Sequence, residues 1–242
     1  SQPKIYMSPQ VDFFENSVFS RTFEDIRSGF LGSCTASNLK SPTELLDEGG
    51  TVFCVAFGNK AVTVIHQGYR YTLEPGMYGS IQTPASILGD NVWYVLVQNH
   101  KALNSVGGPL EETGRLRYID GCTDSLIVAP VIKGDPCLNL LYFPPGIEQT
   151  FHTHPSCRLG LVVSGSGFCE DDAGETELNP GLAFHIPKDG VHRFVTREKP
   201  LRIVAFHPDS DFGPEHDFHP MINKTIVDGL SARHIDSIRT TS

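Results

Sequence analysis

The chain reads as an all-β protein of two repeated modules in tandem, and three observations predict it. Short runs of β-branched and aromatic residues are punctuated by breakers, with 23 Gly and 17 Pro among 242 residues. A Leu-x-Pro-Gly pattern occurs at Leu73–Gly76 and again at Leu178–Gly181, each time before a strand ending near a proline, Pro84 or Pro187. Such self-similarity marks a duplication. The third observation is a His-x-His pair, His152 and His154, in an extended run, followed by His192 after a Pro-Lys-Asp-Gly turn.

Taken in order, Val11–Phe14 and Phe19–Phe23 are short strands or an irregular wrap. Ser41 to Asp47 predicts a helical turn, with Ser41 as cap and Pro42 at the first helical position, stopped by Gly49-Gly50. From Thr51 the pattern turns to strands. Phe53, Val55 and Phe57 alternate with Val52, Cys54 and Ala56, so both faces are apolar and the strand is buried. Ala61–Ile65 follows the turn Gly58-Asn59-Lys60, and Tyr69–Leu73 follows that. The breaker-rich run Gly107–Gly114 predicts a linker between a first module, 1–110, and a second, 115–242. Beyond the second barrel, Pro208–His216 reads as an acidic loop and 222–238 as a tail with a strand near Thr225–Val227.

Composition narrows the function. Apolar residues are 39% of the chain, enough for a globular, soluble protein. A net charge of −9 and a pI near 5.5 argue against nucleic-acid or anionic-membrane partners, which require a positive field. No apolar run approaches a membrane span, and Ser1–Met7 lack the apolar core of a secretory signal. Six cysteines (34, 54, 122, 137, 157, 169) without a Cys-x-x-Cys pair read as reduced thiols of a cytoplasmic protein.

The spacing Gly146, five residues, His152-x-His154, three residues, Arg158, six residues, Gly165 is similar to the first signature of the cupin superfamily. Gly181, five residues, Pro187, and His192 five further on resembles the second. Arg158 stands where the signature has a glutamate, Gly190 is displaced by one, and Thr196 replaces an asparagine. The resemblance covers Leu138 to about His207. It implies an antiparallel barrel (the double-stranded β-helix or jelly roll) with a metal inside. With the repeat, it implies a bicupin whose first module has lost its ligands: Gly89 takes the place of His192, and His66 stands alone. That module's work is then packing, dimerisation or closing the mouth of the second.

His152 and His154, two apart in an extended segment, point to one side, and with His192 they form the expected ligand set. Three neutral imidazoles with open positions suit iron(II), and the ligand type also admits manganese, nickel, copper and zinc. Arg158 cannot ligate, having no acceptor and a permanent charge. At ~6 Å from a dication and an effective dielectric of about 20 it would be repelled by about 5 kcal/mol. Either it pairs with a carboxylate at the barrel rim, or it holds an anionic substrate, as an arginine does in cupins that oxygenate thiol-containing acids. His185 either serves as a base or donor beside the metal or faces outward. Cys157 is a small core residue or a thiol activated by its cationic neighbour. Glu148 and Gln149 are placed at the opening, Tyr142 and Phe143 on the wall, and Phe184, Ile186 and Phe194 in the core. The expected protein is an iron(II) cupin dioxygenase, an oxidoreductase acting on a small, anionic organic acid. The alternatives are a lyase or isomerase of a small carboxylate and a non-catalytic metabolite-binding cupin. The resemblance also implies a homodimer.

Overall fold

The computed structural model describes residues 8–14, 20–25, 30–46 and 48–239. Phe19, Asp47 and the segment Ser1–Met7 lie outside the described residues. The chain begins with β1 (Asp12–Phe14). Next come β2 (Ser20–Asp25), β3 (Phe30–Leu45), β4 (Thr51–Ala56) and β5 (Val62–His66). β6 (Tyr69–Leu73), β7 (Tyr78–Gln82), β8 (Ala85–Val97) and β9 (Ser105–Gly107) complete the N-terminal half. The C-terminal half runs β10 (Leu116–Arg117), β11 (Thr123–Val128), β12 (Cys137–Phe143), β13 (Arg158–Gly165) and β14 (Gly167–Asp171). It continues with β15 (Gly174–Leu178), β16 (Ala183–Ile186), β17 (Arg193–Val195) and β18 (Leu201–His207). A short helix, Pro220–Asn223, and the two-residue strands Ile226–Val227 and Leu230–Ser231 form the tail. No described helix is long and apolar enough to cross a membrane.

The protein is all-β, as predicted. β2 to β9 make one antiparallel sheet in the order β2-β3-β8-β4-β7-β9, with the β5–β6 hairpin attached to β8. The C-terminal strands make a seven-stranded sheet, β1-β16-β13-β18-β12-β11-β10, faced by a smaller one, β15-β14-β17. β1 therefore joins the C-terminal sheet although it opens the N-terminal half: Phe13 pairs with Phe184 and Asp12 with His185. The two Leu-x-Pro-Gly turns occupy matching places, each between a hairpin and a strand of the main sheet, and Leu73 and Leu178 are both fully buried.

One expectation is corrected. Ser41–Leu45 is not a helical turn but the end of β3, paired with β8 through Thr43–Ile87, Glu44–Ser86 and Leu45–Ala85. Pro42 falls in an irregularity of register between Leu39 and Thr43, where its missing N–H removes no ladder bond. Sheet pairing overrides the local capping preference.

Strand alternation sorts the apolar residues into three cores. Leu45, Val52, Cys54, Val62, Val64, Leu73, Ile81 and Ile87 fill the interior of the N-terminal sheet. Phe143, Val162, Leu178, Phe184, Ile186, Phe194 and Ile203 fill that of the C-terminal one. The third core joins the halves: Phe53, Val55, Trp93 and Val95 pack against Leu138, Leu140, Leu159, Leu161, Val204 and Phe206. This is why β4 is buried on both faces, one serving its own sheet and the other its neighbour. Phe53 and Phe206 meet across this seam with ring centroids 5.3 Å apart. Phe206→Ala is expected to cost about 3–5 kcal/mol, and a double-mutant cycle with Phe53→Ala should return a favourable coupling in urea melts. Both variants should retain one cooperative transition.

Candidate metal centre

The site is built where the loop after β12 lies against the segment leading into β17. His152 and His192 face each other in an antiparallel bridge, each N–H donating to the other's carbonyl at 3.0 and 3.1 Å. Gln149 N–H donates to Phe194 O at 3.1 Å, and the Gln149 side-chain oxygen accepts from Phe194 N–H at 3.1 Å. Farther along, Thr196 N–H donates to Ile147 O, and the Thr196 hydroxyl accepts from Ile147 N–H and donates to Pro144 O. Thr196, a departure from the cupin signature, thus pins both ends of the loop's first turn. Thr150 N–H donates to Asp120, and Val191 N–H to Ser8 Oγ, so the flanks of both histidine segments are tied down. Gly165 closes the far end of β13 at φ +82°, where a Cβ would lie 1.9 Å from Pro200 O, so no other residue fits.

These constraints bring His152, His154 and His192 together. Ring centroids are separated by 5.1, 4.5 and 5.2 Å, and one nitrogen from each ring lies within 4.8 Å of the others. The tautomers follow from the hydrogen bonds. His152 Nδ1 donates to Thr150 O at 2.8 Å and His192 Nδ1 to Gly190 O at 2.9 Å. A carbonyl can only accept, so both Nδ1 atoms carry the proton and each neutral ring offers its Nε2 lone pair. His192 is fully buried, and its Nε2 has no hydrogen-bond partner. A buried polar atom left unpaired costs about 1–3 kcal/mol, a cost that coordination removes. The donor set and the orphaned lone pair fit a divalent metal ion.

Electrostatics keep His154 and His192 neutral. Burial first, then Arg158 and the other two rings, push His154 down to about 2. Burial pushes His192 down to about 4, against the opposing pull of the Gly190 carbonyl. Each ligand must be neutral to bind a metal, so no proton has to be displaced from His154 or His192 near neutral pH.

Arg158 lines the cavity with His152 and His154. Its Nη1 donates to Ser156 Oγ at 2.7 Å, Cys157 O at 2.9 Å and Ser156 O at 3.3 Å. Ser156 in turn donates to Asp209. Among the described residues no carboxylate lies in ion-pair contact with the guanidinium, and its Nε is buried without a partner. His185 is not brought to the cavity. It sits 3.4 Å from Asp12 on the face of β16 opposite Phe184 and Ile186, which do line the cavity. Phe143 forms part of the wall while Tyr142, its neighbour in β12, alternates to the other face. Gln149 is buried in the wall, and Glu148 points outward to Arg193 Nη1 at 2.8 Å. Cys157 is buried, and among the described residues no cysteine forms a disulfide.

Sequence reasoning did not find Tyr118, Asp124 and His207, which also line the cavity. Burial raises the pKa of Tyr118 and of Asp124, while burial, Arg158 and His154 hold His207 well below the ordinary histidine range. The readable signal was parity. In β12 and β18, Asn139 and His207 fall on the same alternation as the inward Leu141 and Ala205. The cavity itself is narrow, about 40 Å³.

Comparison with known proteins bears on the fold. Residues 139–207 match the Cupin domain family. No curated protein sequence matches the chain. Among solved structures, the fold is similar to a cupin 2 conserved barrel domain protein from Leptotrichia buccalis. That match has TM-score 0.57 at 16% identity, covering 81% of this chain and 91% of that one. It is similar to salicylate 1,2-dioxygenase from Pseudoaminobacter salicylatoxidans, with TM-score 0.56 at 9% identity over 75% and 69% of the two chains. It is also similar to Bacillus subtilis oxalate decarboxylase, with TM-score 0.50 at 11% identity over 83% and 75%. At these identities the likeness establishes the cupin fold.

Because His154 and His192 resist protonation in the native state, the unfolded chain binds more protons below its ordinary histidine pKa of 6.5. Stability of the metal-free protein should therefore be fully present above about pH 6.5 and fall as pH drops from there towards 4. Urea midpoints measured between pH 7 and 5 should decline, and the decline should be shallower in His154→Gln.

Proposed function

We propose that the chain is an iron(II)-dependent cupin oxygenase acting on a small organic acid. In this reading residues 115–242 form the metal-binding module and 1–110 a degenerate copy, a bicupin that works as a cytoplasmic homodimer. The observation that carries it is the buried, unpartnered Nε2 of His192 facing two further imidazoles. The compartment is supported by buried cysteines outside any disulfide among the described residues. Two fold neighbours, salicylate 1,2-dioxygenase and oxalate decarboxylase, are named for small carboxylates.

Iron(II), when bound, supplies a binding place for dioxygen and electron exchange with the substrate. The chain's own residues do the rest. His152 and His192 hold their Nε2 lone pairs inward through their Nδ1 hydrogen bonds. Phe143, Phe184 and Phe194 keep the cavity dry, which strengthens every polar contact inside it. Arg158, without a protein carboxylate, holds the carboxylate of the substrate. Tyr118 keeps its Oη proton and can donate a hydrogen bond, and neutral His207 can accept one.

A lyase or isomerase of a small carboxylate is the second reading, and Asp124 favours it. Its buried carboxyl, with a raised pKa, is a proton carrier suited to an oxygen-independent reaction.

Oxygen uptake by iron-loaded protein over a panel of small acids separates these outcomes. Uptake coupled to product supports the oxygenase. Turnover under argon would replace it with the lyase, and tight binding without turnover would leave a metabolite-binding protein. Arg158→Ala is expected to retain one metal per chain and raise KM for the acid at least ~10-fold. Unchanged kinetics in that variant would dismiss the clamp.

A further inference from the structure

Arg158 accounts for one end of a ligand, and a second charged group faces the same space. Asp124, on β11, lines the cavity and also the groove that continues from it. Asn139 Nδ2 donates to both Asp124 oxygens, at 3.1 and 3.0 Å. A single amide group therefore orients the carboxylate while leaving lone pairs on each oxygen. No cation pairs with Asp124 among the described residues. The cavity thus presents one cationic and one acidic side chain, with no ion pair between them. The groove reinforces the asymmetry, with Asp124, Asp209 and Asp211 along it against Arg158 as its single cation among the described residues. A ligand with two carboxylates would meet repulsion there, whereas one bearing an acid and a donor would find a partner for each end.

We propose that the cavity selects short carboxylic acids that also carry a hydrogen-bond donor, an ammonium or a hydroxyl. Arg158 holds the carboxylate, and Asp124, oriented by Asn139, accepts from the donor. The inference rests on the reading of Arg158 as an acid clamp and adds Asp124 as the specificity-determining residue. The acidic groove favours ammonium over hydroxyl, since a zwitterion enters without net charge. The small cavity limits the acid to about two to four carbons, one water needing about 10–15 Å³ on the same measure.

Isothermal titration calorimetry on the full chain under argon tests this with two matched series. The first is acetate, glycolate and glycine; the second is propionate, 3-hydroxypropionate and β-alanine, with malonate as the dianion. In at least one series the donor-bearing acids should bind about 10-fold tighter than the parent acid, with malonate weakest. Asp124→Asn should abolish that preference without weakening the parent acid's binding. If Asp124→Asn does not fold, Asp124→Glu should shift the preference from the longer donor-bearing acid to the shorter. Donor-bearing acids that bind no tighter than their parents, or a preference that survives both substitutions, overturn the inference. In that case Arg158-dependent binding of acetate or propionate still upholds the clamp. Affinities unaltered by Arg158→Gln, or no binding by any acid, overturn the clamp and this inference together.

Discussion

The backbone bridge between His152 and His192 is the contact on which the site depends. Two reciprocal hydrogen bonds fix the histidines across from each other, and each Nδ1 is then anchored to a carbonyl two residues earlier in its own segment. Ring position, tautomer and lone-pair direction all follow from main-chain geometry. Gln149, Thr196, Asp120 and Ser8 secure the two segments from the sides. The triad is therefore preorganised by pairing of the kind that forms the sheets.

The second constraint is electrostatic. A permanent cation, Arg158, stands where the cupin signature carries an acid, and it adds to burial, the larger cause, in depressing the basicity of His154, His192 and His207. The protein offsets part of that charge indirectly, through Ser156 to Asp209, without an ion pair. A desolvated guanidinium in that state gains most from an anion that arrives with the ligand. Asp124, oriented by Asn139, is the acidic group that faces the same cavity.

The strands from Thr51 onward were legible because their alternation is strong, and the histidine set because its spacing is rare. Other features were hidden for physical reasons. The Ser41–Leu45 segment carries a helix-start sequence, yet long-range pairing with β8 decides its conformation. β1 is three residues long, too short for periodicity to show that it crosses to the C-terminal sheet. Asp124, Tyr118 and His207 come from separate parts of the chain and share no motif; alternation puts His207 on the inward face of β18, and the closed sheet reveals that all three face one cavity. His185 and Tyr142 illustrate the same rule from the other side, since one step along a strand moves a side chain to the opposite face. The core between the halves was likewise invisible, although the doubly apolar pattern of β4 anticipated its burial.

The account stands on three imidazole nitrogens converging on one ion. X-ray absorption spectroscopy of protein loaded with a single equivalent of iron(II) measures this directly. It should report three imidazole nitrogens in the metal's inner shell, falling with occupancy in His192→Ala while Phe206→Ala keeps the same spectrum. A shell without imidazole, or one unchanged in His192→Ala, would contradict it.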